Sequence, residues 1–265
     1  METEDILSLT CRQLQSATVG LAEVVGSAPD LSVAARNSEW TLRHVTLHVA
    51  MTGRYFAELV APDRKPDGAT LAEIHDDIER RIADIPEGDP IKLGAILQDA
   101  IETFVEACTE LTGDQPADFA GCPATVAALA GLMLGEVVLH GYDVAFAAGW
   151  PWPIDPIDAG LSLGGFAPVL GLIVDPDRTR GLSTGYGIEL RDGAAMTVRF
   201  TDGVYGLEAA GAAPVDVTIS ADPVAFLMVA TGRLSRYEAV ALGMLSAGGR
   251  CPELALGFPD LFFNP

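Results

Sequence analysis

The chain has 265 residues, 49% of them hydrophobic, enough to bury one large core or two ordinary ones, and this excludes a disordered polypeptide. Its 16 basic and 37 acidic residues leave a net charge of −21, which repels phosphate backbones and anionic headgroups and sets aside nucleic acid and membrane surfaces as partners. The basic residues are almost all arginine, and Ala and Gly are abundant, a coding bias that suggests an actinobacterial source and says nothing of the fold.

From Glu4 to about Gly149 the apolar residues recur at helical spacing, and four main helices are expected. The first runs from Glu4 to Val25. The second starts after Ser38 as N-cap and carries Trp40, Val45, His48 and Met51. Thr70 with Glu73 forms a capping-box signature for a shorter helix through Ala83. Pro90–Leu111 and Ala124–Ala148 supply the third and fourth main helices. Antiparallel packing of such helices gives a bundle, whose interior commonly hosts metals.

Three prolines at alternate positions in Gly149–Pro156 cannot continue a helix, so a domain boundary is placed there, dividing residues 1–150 from 151–265. After one apolar helix-like segment the period changes. Tyr186–Leu190, Ala194–Phe200 and Val204–Ala209 alternate as strands linked by Asp192–Gly193 and Asp202–Gly203, an antiparallel meander. Val215, Val217 and Ile219 continue it as a fourth strand. Pro223–Thr231 and Arg236–Leu242 read as helices, with a short strand at Met244–Gly248. The fold class is a two-domain α+β protein.

Met1–Asp5 is acidic where a signal peptide would be basic, and no apolar core with a cleavage site follows. Val126–His140 is interrupted by Glu136, and Ala159–Val174 falls short of the roughly 20 residues a bilayer requires. The expectation is a cytoplasmic protein. Cys11, Cys108, Cys122 and Cys251 show neither a C-x-x-C pair nor a disulfide spacing and read as reduced, mostly buried thiols.

The chemistry concentrates in Gly135–Asp143, within the most apolar segment. Glu136 and His140 lie four residues apart, on one helix face, and can converge on one ion. No Lys or Arg stands in that segment to neutralise Glu136, and a Glu is almost never buried unpaired. His44 and His48, one turn apart on another helix, compete to be the third ligand, and spacing does not separate them. Two imidazoles and a carboxylate suit a divalent ion of the zinc class with a coordination position left open. The alternative for such a set is hydrogen-bonded core groups. His75 sits on a charged, solvated helix face, and Asp143, three residues after His140, can orient a ligand histidine.

Trp40–His48 resembles the W-T-x-R-x-V-x-x-H segment of the mycothiol-dependent maleylpyruvate isomerase family. Gly135–Trp152 resembles its E-x-x-x-H-G-x-D segment and the Gly-Trp/Pro-rich link that follows. The resemblance implies a DinB-like four-helix bundle with a His, Glu, His metal triad, which by position selects His48, Glu136 and His140 over His44. Val215–Pro223 and Thr231-Gly232-Arg233 resemble the sterol carrier protein-like α+β domain, with its antiparallel sheet, that follows the bundle in many members.

The cofactors implied are a divalent metal, zinc foremost, and mycothiol or a similar low-molecular-weight thiol bound through its sulfur. The activity implied is isomerisation or S-transfer on a small electrophilic substrate. Arg233 is the candidate catalytic residue, to hold a substrate or cofactor carboxylate by a bidentate contact, the alternative being a surface arginine at a helix end. The alternative function is a non-catalytic apolar-ligand binding protein with a structural metal, its pocket lined by Phe226, Leu227, Met228, Val240, Leu242 and Met244. No amphipathic tail or charge block supports a partner-assembly role, and oligomeric state is not legible.

Overall fold

The computed structural model describes residues 5–36, 38–61, 69–191 and 193–263. Glu4 and Asp192, expected at a helix start and in a turn, lie outside them. The chain divides into two compact units, residues 1–154 with 164–166, and residues 155–163 with 167–265.

In the first unit, α1 (Ile6–Ser27), α2 (Leu42–Leu59), α4 (Pro90–Cys108) and α5 (Val126–Ala148) form a four-helix bundle, in which α1 and α2 each pack against both α4 and α5. The short α3 (Leu71–Ala83) lies on α2. Phe56, Phe104, Leu14, Leu47 and Met133 are fully buried between them, each contributing about 1.5–3 kcal/mol by leaving water. Local signals set most boundaries. The Thr70 hydroxyl accepts from Glu73 N–H while the Glu73 carboxylate accepts from Thr70 N–H, the capping box expected. Asp89 caps α4, Thr125 caps α5, and Gly149, left-handed at φ 75°, ends α5.

Three sequence expectations need correction here. α2 starts at Leu42, not after Ser38, because the Thr41 hydroxyl takes the His44 N–H at 3.2 Å while Ser38 closes a turn onto Trp40 N–H. Trp40 therefore precedes the helix. α4 ends at Cys108 and not Leu111, and the chain then makes a hairpin of β1 (Pro116–Phe119) and β2 (Cys122–Thr125) that the helical reading passed over. Its turn, Ala120–Gly121, has both φ values positive, the geometry of a tight hairpin.

α5 and the Pro156–Ile173 segment are both long and apolar enough to cross a membrane by length and composition. For α5 the apolarity has another use, since 78% of that window is buried inside the protein.

The second unit begins with α6 (Pro156–Phe166, its last three residues belonging to the first unit), a 3-10 segment at Ala167–Ile173 and the one-turn α7 (Pro176–Thr179). A five-stranded sheet follows, built from β3 (Thr184–Leu190), β4 (Ala195–Thr201), β5 (Val204–Ala209), β6 (Val217–Ala221) and β7 (Leu245–Gly249) in the order β5-β4-β3-β6-β7. The β4–β5 turn at Asp202–Gly203 is left-handed at both residues, as the hairpin reading requires.

β6 does not extend the meander. It pairs with β3 in parallel, so residues 210–216 must carry the chain back along the sheet before β6 can start. Asp216 anchors that return: its N–H donates to Gly185 O at 2.8 Å, its carboxylate accepts from Gly185 N–H at 2.9 Å, and Arg250 pairs with it. α8 (Pro223–Ala230), α9 (Arg236–Ala241) and a 3-10 segment at Pro252–Leu261 complete the unit. Tyr186, Phe200, Phe226, Phe258 and Phe262 form a linked aromatic cluster.

Candidate metal centre

Several residues of the two sequence segments singled out above have physical assignments in the bundle. In the first, Thr41 caps α2 and Val45 is core at 1% exposure. Arg43 donates from Nε to Glu87 O at 2.8 Å and from Nη2 to Ile85 O, tying α2 to the link between α3 and α4. His48 then points at α5. In the second segment, Gly141 is required because a Cβ there would stand 2.2 Å from Trp152 Cζ2. Trp152 in turn donates from Nε1 to Val138 O at 3.0 Å, so the indole lies flat on the helix that carries Glu136 and His140.

The three predicted ligands converge. His140 Nε2 is 3.3 Å and His48 Nε2 3.7 Å from Glu136 Oε2, and the three donor atoms lie within 4.8 Å of one another. A tetrahedral ion with bonds of about 2.0–2.1 Å sets its donors roughly 3.3 Å apart, the separation of His140 and Glu136 and somewhat less than that of His48 and Glu136. Protonation states agree with that use. Burial pushes the Glu136 carboxyl up, but hydrogen bonds from His140 and His48 outweigh it, and the group is held far below the ordinary carboxylate range. Burial lowers His48 despite Glu136, keeping the imidazole neutral. Neutral imidazoles and an ionised carboxylate are what a divalent ion coordinates. His48 Nδ1 is buried without a hydrogen-bond partner among the described residues.

His44 stands apart from this cluster. His44 Nε2 lies 3.0 Å from Glu79 Oε1 on α3 and does not join the ligands. Trp40 stands between the groups: its ring is 4.8 Å from His44, 4.7 Å from His48, 6.2 Å from a stacked His75 and 6.4 Å from His140. All four histidines of the chain thus meet one indole. Neither Glu79 nor this grouping was legible from sequence, because α3 contributes them only through tertiary packing. The one available signal was that His75 and Glu79 are themselves four residues apart.

Asp143, 4% exposed, places Oδ2 3.8 Å from His140 Nδ1. Arg233 lies in the second unit, in the turn between α8 and α9, where its Nη1 donates to Thr231 O at 3.2 Å. The thiols divide evenly: Cys11 and Cys108 are buried, while Cys122 and Cys251 are partly exposed, contrary to the mostly buried set expected. Cys108 is pushed up by its hydrogen bond with Cys11 and by burial, and Cys122 by burial.

Comparison with known proteins points the same way. The family described as "Mycothiol maleylpyruvate isomerase N-terminal domain" matches residues 11–145, just over half of the chain, with His48, Glu136 and His140 inside the match. Among solved structures, the mycothiol-dependent maleylpyruvate isomerase aligns over 93% of this chain and 96% of its own, at 14% identity and a TM-score of 0.55. A histidine-to-alanine mutant of it aligns over the same shares at 13% identity and a TM-score of 0.54. These two show a shared fold. Sterol carrier protein 2 from Yarrowia lipolytica aligns with 39% of this chain and 97% of its own at 13% identity, with a TM-score of 0.26, too low to argue from. No curated protein sequence matches.

Proposed function

The chain belongs to the mycothiol maleylpyruvate isomerase N-terminal domain family, and on that premise we propose that it is a metal-dependent enzyme using mycothiol or a similar low-molecular-weight thiol to isomerise a small electrophilic substrate. S-transfer to such a substrate is the nearest variant of the same chemistry. The observation that carries the reading is the convergence of His48, Glu136 and His140, three donors on two facing helices with no Lys or Arg partner for Glu136 among the described ion pairs. A closed structural site would supply four protein ligands, whereas three leave a position open for an exogenous sulfur.

A bound divalent ion, zinc the first expectation, would lower the pKa of the incoming thiol and so make available at neutral pH a nucleophile able to add to and leave an electron-poor double bond. The chain's own residues supply the rest. His48, kept neutral by burial, and His140 offer Nε2 to the ion, and Glu136 contributes the one negative charge of the ligand set. The Trp40 ring packs against His48 and lies near His140. Arg233 is the proposed holder of a substrate or cofactor carboxylate, its guanidinium suited to a bidentate grip.

The apolar-ligand alternative has less support. Of its six proposed lining residues, Phe226, Leu227 and Met228 are buried, but Val240, Leu242 and Met244 are exposed. The cavity beneath Phe226 and Phe258 measures about 10 Å³, room for no more than a water.

The test is turnover of maleylpyruvate, the substrate in the relatives' name, by the full chain with mycothiol and zinc each added or withheld. The reading expects isomerisation only when both are present, and loss of it in Arg233→Met through a raised KM. Turnover independent of thiol, or a chain that binds no metal, overturns it.

A further inference from the structure

Cys11 and Cys108 meet inside the bundle, although no sequence spacing relates them. Cys11 lies in the second turn of α1 and Cys108 is the last residue of α4. Both are buried, at 8% and 2% exposure, and their side chains are hydrogen-bonded to each other. The surrounding geometry fixes this meeting. Leu7, Cys11 and Gln15 follow one another at four-residue intervals along one face of α1. Gln15 Nε2 donates to Glu102 Oε2 on α4 at 2.9 Å, and a Cβ at Gly113, just beyond α4, would stand 3.4 Å from Leu7 Cβ. Cys11 is thus bracketed by contacts to α4 and its continuation, one turn along α1 and one turn back.

Within the pair the two sulfurs play different parts. Cys108 holds the shared proton and its thiol is pushed up, whereas the hydrogen bond from Cys108 lowers Cys11 and favours its thiolate. The thiolate is the form that a peroxide oxidises.

We propose that Cys11 and Cys108 form a reversible disulfide latch between α1 and α4, closed by peroxides and opened by low-molecular-weight thiols. In the first step the Cys11 sulfur attacks hydrogen peroxide, the O–O bond breaks, and the products are a sulfenic acid and, with one proton taken up, water. In the second the Cys108 sulfur gives up its proton and attacks the Cys11 sulfur, so that the S–O bond breaks and another water leaves. Two thiols and one peroxide therefore become one disulfide and two waters. Two small thiols reverse it by exchange and end as their own disulfide.

Closing the latch brings the sulfurs to about 2.05 Å, and the position of Cys108 at the very end of α4 provides the freedom to do so. The link closes a loop of roughly 100 residues, a length at which a cross-link restricts the unfolded chain strongly. It joins two helices that carry none of the three proposed metal ligands, which stand on α2 and α5. The latch consequently stiffens the bundle and leaves those ligands free.

The experiment treats the full chain with hydrogen peroxide, blocks the remaining thiols with an alkylating agent under denaturing conditions, and reads linked peptides by mass spectrometry beside the melting temperature. Wild type, Cys11→Ala and Cys108→Ala are compared. Oxidised wild type is expected to yield a linked Cys11–Cys108 peptide and to melt several degrees higher than the reduced protein, both changes being undone by excess dithiothreitol. Neither variant is expected to gain the link or the rise, and Cys108→Ala leaves Cys11 as a sulfenic acid that dimedone traps. Oxidation of Cys122 and Cys251 in wild type with Cys11 and Cys108 still alkylated overturns the proposal. A linked peptide accompanied by a lower melting temperature overturns it as well, because the bond then works against the native packing. Wild type alone decides both outcomes, so poor folding of a variant leaves the test intact.

Discussion

Two histidine–glutamate groupings stand on either side of Trp40, built from the same residue types and partly from the same helix. On one side His48, Glu136 and His140 bring three donor atoms within 4.8 Å on the facing helices α2 and α5. On the other, His44 meets Glu79 at 3.0 Å, with His75 stacked on the far part of the indole. The first grouping is the proposed ligand set; the second is an ion pair at the rim. The residues themselves do not make this difference, since His44 and His48 are one turn apart on α2. What differs is the facing element: α5 presents a carboxylate and a second imidazole to one point, whereas α3 presents a carboxylate already close enough to pair directly. Three donors meeting at one point can share an ion, whereas the two of the rim pair satisfy each other directly.

The largest effect that separates the two sides comes from removing a ligand. Glu136→Ala is expected to abolish stoichiometric zinc and reduce thiol-dependent turnover to background. Elemental analysis with a turnover assay checks this, and retained zinc would erase the distinction. An intermediate effect probes the support beneath the ligands. Gly141→Ala puts a methyl within 2.2–2.7 Å of the Trp152 ring and must displace it, at a cost of about 1–3 kcal/mol by overpacking. Denaturant unfolding, with the Trp emission of the folded state as a second signal, reads that change. The smallest effect belongs to the rim. His44→Ala and Glu79→Gln each break a partly exposed pair, expected to be worth about 0–1 kcal/mol in stability, and leave zinc affinity within about threefold of wild type. A tenfold loss of zinc affinity in either variant would place His44 in the ligand set.

How much of this the amino-acid sequence discloses depends on the range of each interaction. The Thr70–Glu73 capping box, the break at Gly149–Pro156 and the Asp202–Gly203 turn are local, and each occurs where its residues indicate. The Glu136/His140 pair was legible because helical geometry alone puts positions four apart together. His48 was singled out by resemblance and not by spacing. What failed was decided by competition or by distance along the chain. Ser38 and Thr41 both suit an N-cap, and Thr41 won it, moving Trp40 off the helix and onto the histidines. β6 alternates like its predecessors, yet its place beside β3 depends on the return of residues 210–216, which no periodicity records. Glu79 could be assigned to His44 only once α3 lay on α2.

The most direct test of the account is X-ray absorption at the zinc edge on the purified full chain, for wild type, His44→Ala and His48→Ala. The account predicts one zinc per chain with two imidazole scatterers in wild type and in His44→Ala alike, and no stoichiometric site or a single imidazole in His48→Ala. Absence of zinc from wild type, or loss of an imidazole on changing His44 in place of His48, would contradict it.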